Sequence, residues 1–356
     1  MSSIETVIDH SQHHNPLSRL IGQQTFWVFV AAVLACLTLT LVTDTFATER
    51  NLFNVARNFA FVAIIAIGMT TVIASGGIDL SVGSLVGLAA MAAGWLLSYG
   101  IDFGLGWSIQ FNTFEIIGLV ALLGIFVGWI NGMLITRLNV APFIATLGML
   151  YVARGAALLS SGGRTFPNLN GNPDYGSASF PMIGAGNFLG IPIMIWMLIA
   201  VAVVASYLAG RTPLGRHIYA TGGNERGAAL SGVHVRRVKM FVYMFSGLMA
   251  ALVGLIIASQ LKAAHPATGE FFELNAIAAA VLGGTSMSGG RGKIGGTIVG
   301  AFVIGILSDG LIMMGVSSFW QMVIKGLVII AAVVIDQAQS RLQARVALAQ
   351  EAADGK

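Results

Sequence analysis

The chain has 356 residues, of which 56% are hydrophobic and only 10% are charged. Soluble domains carry about 25% charged residues, so this chain has too few charges to cover a water-facing surface, and most of that surface must face an apolar environment. The formal net charge of +4 comes from short basic patches between apolar segments. Such patches are typical of membrane topology signals and do not indicate nucleic-acid binding.

Apolar segments follow one another along nearly the whole chain. A helix needs roughly 20 apolar residues to cross the hydrocarbon core of a bilayer. The sequence therefore predicts an all-α membrane protein with about ten transmembrane helices, some of them short or broken. Eight or nine spans with re-entrant pieces remain an alternative, because segments 141–160 and 274–288 are short or rich in glycine and alanine. The ten segments lie at approximately 26–43, 55–74, 82–100, 114–136, 141–160, 192–209, 241–259, 274–288, 295–313 and 319–335.

The basic residues indicate how the spans are oriented. The densest group lies in the loop 210–240, which the positive-inside rule places in the cytoplasm. Counting spans in both directions from this loop predicts a transmembrane domain over 25–336, with both tails (1–24 and 337–356) in the cytoplasm. The loop 161–191 then lies outside, where it is either a surface for a partner or a plain connector.

Three polar residues in the first half of the membrane domain lie at a helix break or within an apolar helix. Asp79 and Ser81 follow Gly76-Gly77 in a break between the second and third predicted spans. An acid at a helix break can cap the next helix, and an intramembrane acid is also a candidate for transport or gating. Asn131 lies in an apolar helix, where we expect either an interhelical hydrogen bond or a place on the pathway.

A second glycine break, Ser288-Gly-Gly, follows a similar apolar run at the end of segment 274–288. Transporters are often built from repeats with glycine-interrupted helices, and both breaks fall on the predicted cytoplasmic side. Asp309 and Lys325 interrupt the last two spans. A charge in the membrane is costly unless it is paired or hydrated, so we expect the two to pair across adjacent helices or to line the outer part of a watery pathway. Lys325 could instead extend to the lipid headgroups.

Catalytic motifs are missing. The stretch after Ser288 has some likeness to a P-loop, but that pattern needs Gly six positions before the lysine and Ser or Thr after it. Met287 and Ile294 occupy these positions around Lys293, so we expect no ATP hydrolysis by the chain itself, and no catalytic, cofactor-binding or metal site. An ion-coupled secondary transporter is the alternative function, although the charged groups it would need near the bilayer centre are sparse.

The loop 210–240 has the parts of a short helix that meets a partner. In chain order these parts are a breaker, a cap, a helix-forming run and a stop: Gly222-Gly223, Asn224, Glu225–Leu230 and Ser231-Gly232. A second short basic helix is expected to lead into the seventh span. Small residues such as Ala228 and Ala229 on a short helix suit insertion into a groove of another protein. The alternative is a connector that its basic residues hold at the lipid headgroups.

Several glycine-rich and polar motifs follow one another along the membrane domain. They are Ser75–Ser84, Pro142–Met149, Tyr219–Asn224, Ala228–Val233, Leu282–Gly292, and Gly315–Gln321 with Lys325-Gly. Together, and in this order, they resemble the permeases of ABC importers of the ribose, xylose and autoinducer-2 type. The likeness runs from about residue 50 to about residue 335.

The resemblance implies a permease subunit, not an enzyme, that moves a monosaccharide or polyol across the bacterial inner membrane. It implies two copies of the permease, or two related permeases, around the pathway. A periplasmic sugar-binding protein would dock outside and a cytoplasmic ABC ATPase inside. By similarity, the residues that correspond to a coupling helix in the ATPase groove are Gly223, Asn224, Glu225, Ala228, Ala229 and Ser231.

Overall fold

The structure is a computed structural model that describes residues 24–102, 108–334 and 337. The predicted tails, 1–24 and 337–356, lie almost wholly outside the described residues. The described residues form an α-helical bundle, which confirms the predicted fold class. The helices are α1 (Gln24–Val42), α2 (Glu49–Ala74), α3 (Val82–Ser98), α4 (Thr113–Thr136), α5 (Pro142–Leu159), α6 (Met182–Ala185), α7 (Ile193–Arg211), α8 (Pro213–Gly223), α9 (Glu225–Leu230), α10 (Val235–Leu261), α11 (Phe272–Leu282), α12 (Ile294–Met313) and α13 (Ser318–Val334).

Ten of these helices are apolar, and each overlaps one of the ten predicted segments. Seven are long and apolar enough to cross a membrane, and three are shorter, namely α3, α11 and α13. Local sequence explains several helix starts. Asn112 and Glu115 form a capping box at the start of α4, each side chain accepting a hydrogen bond from the other's backbone N–H. Pro142 and Pro213 open α5 and α8 at positions where no backbone donor is needed.

Two predicted boundaries are wrong. The separate basic helix before the seventh span does not exist, because α10 runs without a break from Val235 to Leu261; no Gly or Pro interrupts the basic run, and arginine and lysine favour helix. The segment 274–288 is not a full crossing, which agrees with the alternative of a re-entrant piece that the sequence left open for it. Its helix, α11, has 11 residues and stops at Gly283 and Gly284, which gives a length of about 16 Å, about half of the hydrocarbon core.

The centre of the bundle is formed by α2 and α10, the two most buried long helices. α10 packs on α2, α3 and α4, and α2 packs on α11 and α12. Glycines let α4 approach α10 closely: a Cβ on Gly124 would lie 2.5 Å from the carbonyl oxygen of Gly247, and one on Gly128 would lie 2.7 Å from the Cα of Met244. Small residues commonly join helices in this way in a bilayer.

Short strands and the loop 161–191 cover the end of the bundle opposite α8 and α9. Two antiparallel hairpins follow α3 and α6: β1 (Ile101–Asp102) with β2 (Ser108–Ile109), and β3 (Asn187–Phe188) with β4 (Ile191–Pro192). Phe166 forms an isolated antiparallel bridge with Ala264. The loop 161–191 is therefore attached to the connection between α10 and α11.

Candidate functional site

Asp79 lies at the centre of a buried polar network at the break between α2 and α3. Its Oδ1 accepts hydrogen bonds from the backbone N–H and the hydroxyl of Ser81, at 3.0 and 2.6 Å. Its Oδ2 accepts one from the hydroxyl of Ser246 in α10, at 2.9 Å. Asn131 in α4 donates from Nδ2 to the Ser81 hydroxyl at 2.9 Å. Three of the predicted candidates therefore belong to one network, and all four side chains are buried.

The network fixes the start of α3. Ser81 precedes the first residue of α3, and its N–H is held by the Asp79 carboxylate, so the acid organises the turn into the helix. Burial raises the pKa of the Asp79 carboxyl above its ordinary value, and the hydrogen bonds from Ser81 and Ser246 act in the opposite direction. Asn131 makes the interhelical hydrogen bond that was one of its two predicted roles. Its Oδ1 is buried and has no hydrogen-bond partner among the described residues.

Two further hydroxyl groups, one from α10 and one from α5, hold the same break through the carbonyl oxygen of Ile78. The hydroxyl of Tyr243 in α10 donates to this oxygen at 3.3 Å, and the hydroxyl of Thr146 in α5 donates to it at 3.4 Å. Sequence reasoning missed Tyr243, Thr146 and Ser246. Their only signal was a polar group in an apolar span, and Ser and Thr hydroxyls so often bond to their own helix backbone that this signal is not specific.

The two glycine breaks meet each other beside α8. The N–H of Gly290 donates to the carbonyl oxygen of Ala74 at 3.0 Å. Gly222 of α8 lies against both: a Cβ there would overlap the Ala74 carbonyl oxygen and would lie 2.7 Å from the Gly290 nitrogen. Tyr219, one turn earlier in α8, donates from its hydroxyl to the carbonyl oxygen of Gly292 at 2.9 Å. We call this contact between Ala74, Gly222 and Gly290 the glycine junction.

The predicted short helix is α9, and it is capped at both ends. At its start, Asn224 Oδ1 accepts a hydrogen bond from the N–H of Gly227 at 2.8 Å. At its end, Gly232 has a φ of 86°, and the N–H groups of Gly232 and Val233 bond back to the last turn, which is a Schellman motif. A helix of six residues is not stable in isolation, so the caps and its packing keep it folded.

The exposed face of α9 differs from the set predicted by similarity. Ala228 is only 6% exposed and faces the protein itself, so it does not offer a contact to a partner. Ala229 and Ser231 are exposed. Leu230, which sequence reasoning did not single out, is 84% exposed. Its signal was a leucine in a loop of small and polar residues.

One ion pair ties α9 to α10. The ammonium of Lys239 lies 2.7 Å from Glu225 Oε2, with the lysine largely covered and the glutamate exposed. Exposed pairs of this kind contribute about 0–1 kcal/mol to stability. The pair therefore matters more for the orientation of α9 than for the fold.

Asp309 and Lys325 lie near one another, but not in direct contact. Asp309 Oδ1 accepts a hydrogen bond from Asn58 Nδ2 of α2 at 2.9 Å, and its Oδ2 has no partner among the described residues. Lys325 of α13 interacts electrostatically with the carboxylate, but the described residues include no ion pair between them within 4 Å. Asn58, which sequence reasoning missed, is therefore the direct partner of Asp309.

A second charged cluster, also missed, lies where α5 meets the connection between α10 and α11. Arg154 of α5 donates from Nη1 to the carbonyl oxygens of Pro266 and Thr268, the latter at 3.1 Å. It also interacts electrostatically with Glu273 of α11, which packs against Gly83 at the start of α3. Arg154 thus attaches the connection between α10 and α11 to the bundle. A lone arginine in the apolar segment 141–160 was the available signal.

The arrangement combines two joined helix breaks with a capped helix outside the spans. Among the residues that the structure describes, no group of three or more His, Cys, Asp or Glu could hold a metal ion. The seven long apolar helices and the joined helix breaks define a multi-pass membrane protein of the transporter class.

Comparison with known proteins identifies the family. The family described as "Branched-chain amino acid transport system / permease component" matches residues 51–333. The chain belongs to this family, and it is a permease subunit of an ABC importer. This membership favours the ABC importer over the ion-coupled transporter that was the alternative from sequence.

Relatives cover nearly the whole chain. The ribose import permease protein RbsC of Bacillus subtilis (strain 168) is 44% identical over 321 residues, which are 88% of this chain and 92% of the relative. RbsC of Haemophilus influenzae is 41% identical over 317 residues, 89% of this chain and 93% of the relative. The xylose transport system permease protein XylH of Escherichia coli (strain K12) is 33% identical, covering 90% and 93%. No solved structure matches the chain.

Proposed function

We propose that the chain carries a monosaccharide or polyol across the bacterial inner membrane and that a separate cytoplasmic ABC ATPase supplies the energy. The similarity to ribose and xylose permeases over most of the chain supports the substrate class. Met287 and Ile294, which occupy the positions of P-loop residues around Lys293, support a permease that does not hydrolyse ATP itself. Two copies, or two related permeases, would form the pathway, with all tails in the cytoplasm.

A periplasmic sugar-binding protein would dock on the end of the bundle opposite α8 and α9. The loop 161–191 and the connection between α10 and α11 are bridged there through Phe166 and Ala264. Arg154 attaches the same connection to α5. A surface held at these points would respond as one unit to a docked protein.

The observation that carries the coupling role is the two-sided placement of α8 and α9. One side packs through Gly222 on both helix breaks, and the other exposes Leu230 to a partner. Closure of the ATPase would push α9, and α8 would pass the displacement to both breaks and switch the pathway by rigid-body movement. This coupling element would run from Gly222 to Gly232. Leu230 would belong to its exposed contact surface, and the buried Ala228 would pack it against the rest of the protein.

We assign the remaining candidates positioning roles in this mechanism. Asp79, Ser81 and Asn131 would fix the geometry of the first break during the switch, since they are buried and bonded to one another. Asp309 and Lys325 would hold α12 and α13 in position through their mutual attraction. Selectivity would then reside mainly in the binding protein.

Replacement of Leu230 tests the coupling role. Leu230→Asp, assayed in membranes that contain the cognate ATPase, is expected to lose ATPase co-purification and ATP-driven uptake, because a charge replaces the most exposed apolar contact of α9. Leu189→Asp is the matched control for ATPase co-purification, since Leu189 is 78% exposed in the hairpin at the end opposite α9. Full uptake by Leu230→Asp would overturn the role.

A further inference from the structure

A groove with three arginines at one end and apolar side chains at the other lies where α4 ends and α10 begins. Its volume is about 380 Å³. Arg137 is the residue after α4, and Arg236 and Arg237 belong to the first turn of α10. The groove lining includes Arg137, Arg236, Arg237, Met240, Phe241 and Met244.

Close packing of the two helices brings these arginines together. Gly132, in the last turns of α4, faces α10 so closely that a Cβ on it would lie 2.7 Å from the sulfur of Met240. The antiparallel ends of α4 and α10 therefore lie side by side, and the three exposed guanidinium groups converge on one opening.

The arginines have no anionic partner within the described part of the chain. The one ion pair found there joins Lys239 to Glu225, and the side chains of Arg137, Arg236 and Arg237 make no ion pair or hydrogen bond. Like charges repel, and Arg236 and Arg237 in the first turn of α10 also oppose the dipole of that helix, whereas Arg137 at the end of α4 does not. This local arrangement is unfavourable for the protein alone, and a bound anion would relieve it.

The other half of the groove matches acyl chains. Met240, Phe241 and Met244 are half-buried, and Phe241 stacks on Phe245 with ring centroids 6.0 Å apart. Methionine adapts to irregular apolar partners. Met244 lies about 10 Å along α10 from Arg237, at 1.5 Å per residue, which is the direction from the headgroup level into the hydrocarbon.

We propose that this groove is a binding site for an anionic phospholipid, with the phosphate at the three arginines and an acyl chain along Met240, Phe241 and Met244. Basic pockets between transmembrane helices are suited to such headgroups. A free anion would use only the basic half, whereas a phospholipid fits both halves. The site borders α9, because Arg236 and Arg237 also line the larger cavity that includes Glu225 and Ala229.

Lipid retention by the purified full-length chain tests this site. The protein is equilibrated with phosphatidylglycerol or phosphatidylcholine, and bound lipid is counted by native mass spectrometry. We expect the unmodified chain to retain phosphatidylglycerol in preference to phosphatidylcholine. Arg236→Gln with Arg237→Gln should weaken this retention at least about tenfold, the effect expected from losing about 1.4 kcal/mol or more of binding free energy.

Two controls separate the site from general charge effects. Arg211→Gln with Arg216→Gln removes the same charge from exposed positions outside the groove lining and should leave retention unchanged. Phe241→Ser keeps all charges and should weaken retention, and the unfolding temperature of each variant checks its folding. Equal retention by both arginine pairs, no preference for the anionic lipid, or displacement of the lipid by millimolar inorganic phosphate would each overturn the proposal.

Discussion

The backbone N–H of Gly290 donates a hydrogen bond to the carbonyl oxygen of Ala74 across 3.0 Å. This bond joins the break that follows α2 to the break that precedes α12, and Gly222 of α8 lies against both groups. A displacement of α8 must therefore move both breaks together. The proposed coupling mechanism rests on this contact, and it can be tested one residue at a time.

Gly222→Ala is expected to disrupt the glycine junction. The new Cβ would overlap the Ala74 carbonyl oxygen, so a backbone segment must shift, at a cost of about 1–3 kcal/mol. We expect a lower unfolding temperature in detergent and loss of most ATP-driven uptake in proteoliposomes. Gly210→Ala is the control, because no atom lies within 4 Å of its Cβ position. Equal stability of the two variants would contradict the packing role of Gly222.

Ser246→Ala is expected to destabilise the network around Asp79. The substitution removes the hydrogen bond to Asp79 Oδ2 and leaves a buried oxygen without a donor, which costs about 1–3 kcal/mol. Ser308→Ala is a matched control, because the Ser308 hydroxyl bonds only to the carbonyl oxygen of Ile304 in its own helix. Denaturant unfolding in detergent measures both, and a Ser246→Ala effect no larger than that of Ser308→Ala would show that the bond contributes little.

Reversing the ion pair between Glu225 and Lys239 tests whether it orients α9. Glu225→Lys places two cations together and should lower ATP-driven uptake severalfold, with less than about 1 kcal/mol change in stability, as expected for an exposed pair. Adding Lys239→Glu restores opposite charges and should recover most of the uptake. Failure of the double variant to improve on Glu225→Lys would mean that Glu225 acts on the partner and not on α9.

Arg154→Met is expected to release the connection between α10 and α11. It removes the donors to the Pro266 and Thr268 carbonyl oxygens and leaves Glu273 without its cation. The readout is thiol labelling of Ala267→Cys in a Cys36→Ser background, which is free of other cysteines. Labelling should become several times faster when Arg154 is replaced, and an unchanged rate would argue against the attachment.

A double-mutant cycle on Asp309→Asn and Lys325→Met measures the attraction between the last two spans. The groups interact electrostatically without direct contact within 4 Å, so we expect a coupling of stabilities of about 0.5–1 kcal/mol, at the low end for coupled residues. A coupling indistinguishable from zero would remove the proposed role of Lys325 in holding α13.

Asn58→Ala should cost about 1–3 kcal/mol of stability, since it removes the bonded donor of Asp309.

Features that depend on local sequence were predictable. The ten apolar helices follow from apolar length, and the limits of α9 follow from Asn224 and Gly232, whose capping bonds span only a few residues. The errors were also local in origin. Hydropathy alone did not separate a half-length helix from a crossing at 274–288, because the residues after Leu282 carry no charge and so do not mark the point where the backbone already turns.

The polar partners could not be predicted, because each depends on which faces of distant helices meet. Ser246 and Asn58 are ordinary polar residues in their own helices, and only the packing of α10 and α2 brings them to Asp79 and Asp309. The same reason explains why Arg154 was overlooked.

By itself, the sequence determined a charge-poor, multi-helical membrane permease with a capped helix in its basic loop, since hydropathy, capping and family motifs are all written in short stretches of residues. The tertiary structure alone decided that the two glycine breaks share a hydrogen bond, that α8 lies against both, and that Leu230 faces outwards while Ala228 faces inwards. The first two relationships arise from backbone contacts between segments far apart in the chain, where only glycine leaves enough room for the approach.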